Sequence, residues 1–265
     1  MSVYAGESPP FLDQCLDSIA ASSLVPDEVV LVCDGPLNDA HEFIIEKHAS
    51  RLPLTLIHLE KNSGLSGALN AGLSHCHHEW VARMDTDDIC QPDRFLQQLS
   101  YIQNHPDIDI LGGTIEEYNA DLSIKLGSRQ TPEDHQALVV YAKKRNPFNH
   151  MTVMFRKAMV EKVGGYPHLY QKEDYGLWIK AIHSGARLAN CNQVLVKVRA
   201  GETMLKRRSG LKYAAAEIPL QKLMVVCGMK SPMEAIVDGL LRASVFLSPI
   251  SIRRLVYQNR LRNRR

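Results

Sequence analysis

Three carboxylates lie within four positions immediately after an apolar, strand-like segment. Asp85, Asp87 and Asp88 follow the segment 80–84, and no basic residue separates them. Two unit charges about 4 Å apart repel by roughly 4 kcal/mol at an effective dielectric constant near 20. Ionised carboxylates this close together therefore need either water or a cation beside them.

The spacing of this acidic cluster narrows the chemistry that it could perform. As an EF-hand calcium loop beginning at Asp85, it would have Cys90 instead of glycine at the sixth position and Leu96 instead of glutamate at the twelfth. A phosphate-binding P-loop is also excluded, because the glycine-containing segment 62–72 has no Gly-Lys-Ser/Thr. Two interpretations are left: a solvated acidic turn, or a divalent cation held by one or two carboxylates and completed by the phosphates of a nucleotide.

A second candidate for chemistry is Asp174, near the start of a segment with helical periodicity. Its neighbours at i+3 and i+4 are Leu177 and Trp178, so the sequence places this acid on the apolar stripe that should face inward. A carboxylate at a helix start also satisfies free backbone N–H groups, so a capping role is the alternative. The residue types alone leave both roles open.

The elements that must position these acids alternate regularly along about the first 85 residues. Short apolar runs at 28–33, 54–59 and 79–84 are typical of buried strands, and segments such as 8–22 and 64–76 have helical periodicity. This alternation predicts an α/β fold with a mixed, mainly parallel sheet flanked by helices.

Ligands bind such sheets at the carboxyl ends of the strands. Asp34 follows the first of these strands as the acidic cluster follows the third, so both are expected at one edge of the sheet. Because Asp is common in turns, a purely structural role for Asp34 is the alternative.

Composition and charge limit the class of protein to which this chain can belong. The chain has 265 residues, 45% hydrophobic and 23% charged, which is ordinary for a soluble globular protein. Its net charge of +2 conceals an asymmetry, because residues 201–265 contain 13 Lys and Arg but only 4 Asp and Glu. The six cysteines form no Cys-x-x-Cys pair, and we find neither a signal peptide nor an apolar span of membrane length. These features predict a cytoplasmic protein without disulfides or a zinc module.

The basic segment predicts a helical C-terminal extension, residues 201–265, beside a larger domain formed by residues 1–200. From Ser251 onward, helical periodicity would place apolar residues on one side and arginines along its borders. Such a helix suits an anionic membrane surface, which would hold the protein peripherally on the inner face of the cell membrane. A helix packed on the larger domain, with solvated arginines, is the alternative.

Five segments, taken in order, resemble the motifs of the family 2 glycosyltransferases, which are inverting enzymes with the GT-A fold. The segments are CLDSIAASSLVPDEVVLVCDGPLND, NSGLSGALNAGL, RMDTDDICQPDRF, HMTVMFRKAMVEKVGGY and EDYGLWIKAI. Each is weakly specific alone, but their order and spacing are specific together. The resemblance implies a GT-A catalytic domain over residues 1–200, similar to small bacterial enzymes that build exopolysaccharide, capsule or lipopolysaccharide chains.

The resemblance also implies roles for residues of a donor site. Tyr4 and Asp34 match residues that contact the base of a sugar nucleotide, with a UDP-sugar favoured as the donor. Asp85 matches the first acid of the Asp-x-Asp motif, near the ribose, and Asp87 matches the acid that binds Mn²⁺ or Mg²⁺. Asp88 extends this motif. On this interpretation Asp85 and Asp87 form the metal site, and the cation neutralises the cluster and the diphosphate together.

Three further residues are implied on the acceptor side. Asp174 matches the general base of the family, and Glu173 beside it is assigned to substrate binding. An inverting transferase needs one carboxylate within hydrogen-bond reach of the acceptor hydroxyl, because the metal stabilises the leaving diphosphate. His150 matches a position near the acceptor or the metal, with a core histidine as the alternative. The implied acceptor is a glycan or a lipid-linked glycan, and no nucleic-acid partner is expected.

One departure from the family pattern concerns the first strand. Family members usually begin with an apolar strand leading into a Pro-x-Tyr-Asn-like turn, whereas here almost no strand precedes Tyr4, and Ala5 stands in place of Asn. Either the true start lies upstream, or the first strand is short and donor binding near Tyr4 is weakened. Two other functions stay open: a nucleotidyltransferase, which would need a basic glycine-rich loop after the first strand, and an inactive module that binds sugar nucleotides or a membrane surface.

Overall fold

The protein is described by a computed structural model that covers residues 1–200, 209–249 and 253. The strands are β1 (Ser2–Val3), β2 (Val29–Cys33), β3 (Leu54–His58), β4 (Trp80–Ala82), β5 (Ile89–Cys90), β6 (Ile110–Tyr118), β7 (Lys125–Arg129), β8 (Met154–Arg156) and β9 (Leu188–Arg199). The helices are α1 (Pro9–Ala20), α2 (Asp39–Ala49), α3 (Gly64–His75), α4 (Arg94–Asn104), α5 (His135–Ala142), α6 (Lys157–Lys162), α7 (Glu173–His183), α8 (Leu211–Ala215), α9 (Glu217–Val226) and α10 (Pro232–Leu247).

The elements predicted in the first third of the chain form where their apolar patterns place them. Every residue of β2 is buried, as expected for an inner strand of a parallel sheet. Ser8 occupies the N-cap of α1 but makes no capping hydrogen bond with its side chain, so the fixed φ angle of Pro9 favours this helix start. The buried positions of α1 recur at helical spacing: Leu12, Cys15, Leu16 and Ile19.

The strands form two sheets that differ in direction. In the first sheet the order is β1-β2-β3 and both pairs are parallel. In the second sheet the order is β4-β8-β6-β9-β5, with β7 beside β6. Strands β6 and β9 run parallel, while β4–β8, β6–β8, β6–β7 and β5–β9 are antiparallel. The predicted α/β class, with a mixed sheet and flanking helices, is confirmed. The antiparallel pairs come mostly from strands after residue 100, where the sequence shows no regular strand and helix alternation.

The short strand β1 connects the first sheet to the acidic segment. It pairs with the end of β2, and Thr86 Oγ1 donates to the Ser2 carbonyl at 3.1 Å. The backbone N–H of Asp34 donates to the Val3 carbonyl at 2.8 Å. The ends of β1 and β2 and the loop after β4 therefore meet at one edge, as predicted from strand order.

The C-terminal helices pack against α7. Tyr175 and Ile179 of α7 share a buried apolar cluster with Leu220 and Met224 of α9. Apart from Arg253, the helix predicted from Ser251 onward lies outside the described residues. Within the described ranges, no helix is both long and apolar enough to cross a membrane. All six cysteines are free thiols.

Candidate active site at the carboxyl edge of the sheets

Asp34 stands at the end of β2 and holds the start of α3. The backbone N–H and the hydroxyl of Ser63 both donate to Asp34 Oδ1, at 2.6 and 2.9 Å. The Asn62 side-chain amide donates to the Asp34 carbonyl at 3.2 Å. A structural role in this turn is therefore present. Its second carboxylate oxygen, Oδ2, takes no part in these bonds, so a ligand donor could bind there.

Tyr4 lies in the turn after β1 and directly follows Val3, whose carbonyl accepts from the Asp34 backbone N–H. Its side chain is 46% exposed, and a Cβ atom on Gly6 would approach the Tyr4 ring to 2.4 Å. Gly35 follows Asp34 with a φ angle of +86°, and a Cβ atom there would lie 2.9 Å from the Asn62 backbone nitrogen. Gly6 therefore lets the Tyr4 ring pack close to the backbone, and Gly35 lets the turn after β2 approach the backbone of Asn62. An open aromatic face beside a carboxylate can stack on a nucleobase and accept its N–H groups.

The acidic cluster is compact. Carboxylate oxygens of Asp85, Asp87 and Asp88 all lie within 4.8 Å of one another. Elements distant in sequence hold its backbone: the Cys15 thiol of α1 donates to the Asp85 carbonyl at 3.2 Å, and the Arg199 guanidinium of β9 donates to the Asp87 carbonyl. The Arg199 backbone N–H donates to Asp88 Oδ1 at 3.0 Å. The three acids are therefore fixed together between the two sheets.

Asp88 is the buried member of the cluster, with 1% of its surface exposed. Burial raises the pKa of the Asp88 carboxyl well above its usual range, and the charges of Asp87 and Asp85 raise it further. The backbone N–H of Arg199 and the charge of Arg83 act in the opposite direction without overcoming these effects. In the protein alone, ionising Asp88 beside Asp87 and Asp85 is therefore unfavourable.

These residues fit a hard divalent cation. Three carboxylates with oxygen atoms within 4.8 Å of one another, one of them buried, are the kind of donor set that Mg²⁺ or Mn²⁺ prefers. A cation would also remove the electrostatic cause of the raised Asp88 pKa. The residues present are consistent with the predicted metal site at Asp85 and Asp87, with Asp88 beside it.

A second acidic group is already neutralised by protein side chains. Asp13, Asp17 and His48 also lie within ligand distance of one another. Lys47 Nζ lies 2.7 Å from Asp13 Oδ1, and Arg51 pairs with Asp17. These cations link α1 to α2, so the group is a salt-bridge network.

Glu173 and Asp174 open α7, as the periodicity predicted. Asp174 Oδ1 accepts from the Tyr175 backbone N–H at 2.7 Å, and Asp174 Oδ2 accepts from the Asn146 side-chain amide. Burial and the neighbouring Asp174 raise the pKa of Glu173 to about 7, against the weaker effect of Arg83. Two carboxyl groups therefore lie side by side at the start of α7, and Glu173 holds its proton more tightly than an ordinary glutamate. Asp174 is oriented by a side chain from the loop after α5.

Arg83 is a site residue that our sequence analysis missed. Its side chain is 4% exposed and its Nη1 atom pairs with Asp85, while its Nε atom has no hydrogen-bond partner in the part of the chain that the structure describes. Burial lowers the pKa of Arg83, but Asp85 and the Tyr166 hydroxyl outweigh that effect and raise it. The signal in the sequence was its position two residues before Asp85, on the strand side of the cluster.

Tyr166 lies close enough to the acidic cluster and to the acids of α7 to be affected by the charges of both groups. Burial raises the pKa of its hydroxyl, and the charges of Asp174, Glu173 and Asp85 raise it further, while Arg83 lowers it. The hydroxyl is therefore un-ionised and can donate or accept a hydrogen bond. In the sequence, Tyr166 is the last residue of one of the five family-like segments, and no role was predicted for it.

His150 is buried against this tyrosine. Its Nε2 lies 3.1 Å from the Tyr166 hydroxyl, and its ring contacts Trp178 with centroids 6.1 Å apart. Burial lowers the pKa of His150 well below its usual value, and Arg83 lowers it further. A neutral imidazole with a hydrogen-bonded core position agrees with the structural alternative, although it also borders the candidate site through Tyr166.

The predicted residues thus fall into three neighbouring groups at one edge of the molecule. Tyr4 and Asp34 form the first, the acidic cluster forms the second, and the acids of α7 form the third. Arg83 and Tyr166 interact electrostatically with acids of both the second and the third group, and His150 contacts the Tyr166 hydroxyl. The arrangement can bind a planar base, a diphosphate with its cation, and a hydroxyl group beside a carboxylate.

Comparison with known proteins supports the family resemblance found in the sequence. The family model described as glycosyl transferase family 2 matches residues 1–164. An uncharacterised glycosyltransferase of Haemophilus influenzae is 42% identical over 262 residues, covering 99% of this chain and 97% of the relative. The amylovoran biosynthesis glycosyltransferase AmsE of Erwinia amylovora is 39% identical over 258 residues, covering 97% and 96%. A UDP-Gal:alpha-D-GlcNAc-diphosphoundecaprenol beta-1,3-galactosyltransferase of Escherichia coli is 36% identical over 262 residues, covering 99% and 95%.

Solved structures share the fold. TarS 1-349 of S. aureus in complex with UDP-GlcNAc has a TM-score of 0.69 at 20% identity, covering 97% of this chain and 73% of TarS 1-349. The mannosyltransferase PcManGT from Pyrobaculum calidifontis, in complex with GDP-Man and Mn²⁺, has a TM-score of 0.63 at 18% identity, covering 96% and 76%. The family match ends before Glu173, so the roles of the α7 acids rest on geometry and on the resemblance.

Proposed function

The chain belongs to glycosyltransferase family 2, and from that premise we propose that it moves a sugar from a nucleoside-diphosphate donor to a hydroxyl of a lipid-linked bacterial glycan, with a divalent cation and with inversion. The observation that carries the proposal is the convergence of the acidic cluster and the α7 acids on Arg83 and Tyr166. A transferase needs both the charge to hold a diphosphate and a separate carboxylate for the acceptor.

Tyr4 and Asp34 hold the base of the donor. The Tyr4 ring offers a stacking face, and Asp34 Oδ2 accepts an N–H of the base while Oδ1 stays bonded to Ser63. A uracil base is favoured, because the E. coli relative is named for UDP-Gal and the TarS complex contains UDP-GlcNAc.

Asp85 and Asp87 hold the cation, with Asp88 beside them. PcManGT, which shares the fold, was solved with Mn²⁺, and the oxygen donors here suit Mn²⁺ or Mg²⁺. When bound, the cation supplies charge stabilisation for the diphosphate that leaves. Arg83 keeps the Asp85 carboxylate in place and adds a buried positive charge to the same region.

Asp174 takes the proton of the acceptor hydroxyl. Its Oδ2 is oriented by the Asn146 amide, which leaves the carboxylate fixed at the helix start while it accepts a proton. One such base suffices for inversion, because the attack occurs on the face opposite the leaving diphosphate. Glu173, with its pKa raised to about 7, contacts the sugar or the acceptor through hydrogen bonds.

The acceptor is a lipid-linked glycan at the inner face of the cell membrane. The E. coli relative is named for a diphosphoundecaprenol-linked acceptor, and AmsE is named for the biosynthesis of a polysaccharide. A cytoplasmic enzyme that meets such an acceptor works at a membrane surface. We assign catalysis to residues 1–200 and membrane proximity to the basic segment 201–265.

The alternative functions have less support. A nucleotidyltransferase would need basic residues in the turn after β1, whereas the turn Tyr4–Glu7 has none. A binding module without activity would not need a proton acceptor on the acceptor side of the site, the role that we assign to Asp174. The relatives compared above are all named glycosyltransferases.

Thermal unfolding with nucleotides tests the metal and the donor together. We expect UDP to raise the melting temperature only with Mn²⁺ or Mg²⁺ present, because a ligand that binds the folded state through a cation needs that cation. A panel of sugar nucleotides then identifies the donor, and its transfer to an undecaprenyl-diphosphate sugar identifies the acceptor.

Asp87→Ala should abolish the stabilisation by UDP and Mn²⁺. Asp13→Ala is the matched control, because Asp13 belongs to the acidic group already paired with Lys47. Its nucleotide-induced shift should equal that of the parent protein. Equal stabilisation by UDP in EDTA, or in the Asp87 variant, would show that the cation does not bind at this cluster.

A further inference from the structure

The helix α10 has its apolar residues on the outside. Six large side chains, each between 48% and 69% exposed, recur at helical spacing: Met233, Ile236, Val237, Leu240, Leu241 and Leu247. Spacings of three, four and seven residues place them on one side of the helix. The charged residues of α10 lie in its first turn or towards the protein. We call this row of six side chains the α10 outer face.

The polar residues of α10 point towards the protein and fix its orientation. Arg242 Nε donates to Glu217 at 2.7 Å, and Arg242 Nη1 donates to the Lys144 carbonyl at 2.8 Å. Asp238 accepts from Lys230 Nζ at 2.7 Å. Ordinary surface helices bury the apolar side and expose the polar side. Here the ion pairs are on the inside, so the helix cannot rotate its apolar residues inward without breaking them.

An exposed apolar row of this size marks an interaction surface. The adjoining sequence indicates the partner by its charge, since residues 251–265 contain six arginines and no acidic residue. Residues 206–208 add Lys-Arg-Arg. An apolar helix face combined with basic residues is the combination that binds an anionic bilayer, because apolar side chains enter the acyl boundary and cations pair with lipid headgroups.

We propose that the α10 outer face docks the protein on an anionic membrane by inserting its apolar side chains into the headgroup boundary. The inference rests on the proposed function and deepens it, because it says how the enzyme meets a lipid-linked acceptor. A segment of 16 residues lying in the membrane plane suits this role and does not need to span the bilayer.

Ion pairs connect this docking helix to the candidate base. Glu217 lies 2.8 Å from Lys172 Nζ and 2.7 Å from Arg242 Nε. Lys172 immediately precedes Glu173 and Asp174 at the start of α7. Two buried ion pairs therefore fix α10 relative to the α7 acids. A membrane-docked α10 would hold Asp174 at a defined distance from the bilayer surface, where a lipid-linked hydroxyl is presented.

Vesicle binding by the full-length chain tests the proposal. The test variant is Ile236→Gln, Leu240→Gln and Leu241→Gln together, since Gln is a good helix former. The matched control is Phe43→Gln, Leu96→Gln and Ile124→Gln, three exposed apolar residues in other elements. Sedimentation with vesicles of phosphatidylcholine and phosphatidylglycerol gives the bound fraction.

The α10 variant should bind these vesicles at least roughly tenfold more weakly than the parent, at low and at high salt, because it loses apolar insertion. The control should bind like the parent. All three proteins should give the same thermal stabilisation by UDP and Mn²⁺, which shows that they remain folded. High salt should partially weaken vesicle binding by the parent protein, because salt screens the arginine charges.

Three results would overturn the proposal. The first is parental binding by the α10 variant. The second is binding that disappears when residues 250–265 are removed but does not respond to the α10 substitutions, which would make the tail the only anchor. The third is a parent that ignores vesicles but self-associates through α10 in sedimentation velocity, which would make the partner a second copy. If UDP stabilises none of the proteins while vesicle binding still depends on α10, the proposed function fails and the docking surface stands.

Discussion

Both carboxylate oxygens of Asp174 accept hydrogen bonds, one from the Tyr175 backbone and one from Asn146. Asp174→Asn keeps the size of the side chain and can still accept at the helix start, but it cannot take a proton. We therefore expect sugar transfer to fall by roughly 10² to 10⁴. Stabilisation by UDP and Mn²⁺ should persist. Initial transfer rates and nucleotide melting shifts measure the two quantities separately.

A matched change at another helix start separates catalysis from capping. Asp134 caps α5 by accepting from the Ala137 backbone N–H at 2.9 Å, and no catalytic role is assigned to it. Asp134→Asn should leave transfer within about twofold of the parent. If Asp174→Asn retains activity to the same degree, Asp174 is only a helix cap.

Glu173 should make the stability of the protein depend on pH. Burial and Asp174 raise its folded-state pKa from 4.5 to about 7, while Arg83 and the Lys172 backbone oppose this. The folded carboxyl thus keeps a proton that the unfolded chain has released. The contribution of Glu173 to stability is greatest below pH 4.5 and is lost as the pH rises to about 7.

A comparison of the parent protein with Glu173→Gln tests this direction of the pH dependence. In EDTA and without nucleotide, the melting temperature of the parent minus that of the variant should fall from pH 5 to 7 and then level off. A difference that stays constant, or that grows with pH, would show that Glu173 is ionised throughout this range.

At the scale of elements, the approach of β2 to α3 depends on Gly35. This residue has a φ angle of +86°, and an added Cβ would lie 2.9 Å from the Asn62 backbone nitrogen. Gly35→Ala should therefore add a steric displacement to the cost of about 1 to 2 kcal/mol for left-handed backbone. It should also weaken UDP binding, because Asp34 and Ser63 move with the turn.

Gly228 provides the control for backbone strain alone. Its φ angle is +68°, and nothing lies within 4 Å of an added Cβ. Urea unfolding should show a smaller loss of stability for Gly228→Ala than for Gly35→Ala, with UDP binding unchanged. Equal losses would mean that α3 shifts freely and that its position is not set by this contact.

At the scale of the whole molecule, Glu217 joins the C-terminal helices to the catalytic part. It is 1% exposed and lies between Lys172 and Arg242. Burial opposes its ionisation, but the charges of Arg242 and Lys172 outweigh burial and lower the pKa of Glu217. Glu217→Gln leaves two cations without their counter-charge, which should destabilise the protein by about 3 to 5 kcal/mol.

The contribution of ionised Glu217 to stability depends on pH. Because the folded pKa is lowered, the stabilisation is present above the ordinary value of 4.5 and is lost as the pH falls below it. Denaturant unfolding at pH 7 and pH 4 measures it. Glu234→Gln, which removes an exposed capping-box acid, should have a much smaller effect. A Glu217 variant as stable as the Glu234 variant would show that α10 is not anchored through this network.

Local patterns in the sequence determined the elements and the location of the chemistry. The apolar runs of β2 and β3 and the periodicity of α1 and α7 are visible over a few residues, because burial on one face imposes a fixed spacing. The acidic cluster was identified because like charges at adjacent positions need a partner. The resemblance that placed the chain in its family rests on five such local segments.

The tertiary structure alone decided which distant residues complete the site. Asn146 reaches Asp174 across 28 residues and Ser63 reaches Asp34 across 29, and no spacing rule links them. Arg83 became a candidate only when its side chain was seen buried beside Asp85. The antiparallel pairs of the second sheet depend on contacts between strands far apart in the chain, such as β4 with β8.

The orientation of α10 shows the physical limit most clearly. Its periodicity predicts an amphipathic helix. Taken alone, this pattern favours burial of Leu240 and exposure of Arg242. The pattern fixes which residues share a face, but not which face turns inward. Glu217 determines which face turns inward. It is buried beside Lys172, and leaving a buried charge without its partner costs more free energy than exposing leucines. Sequence determined the two faces of the helix, and only the packed structure determined that the apolar face is outside.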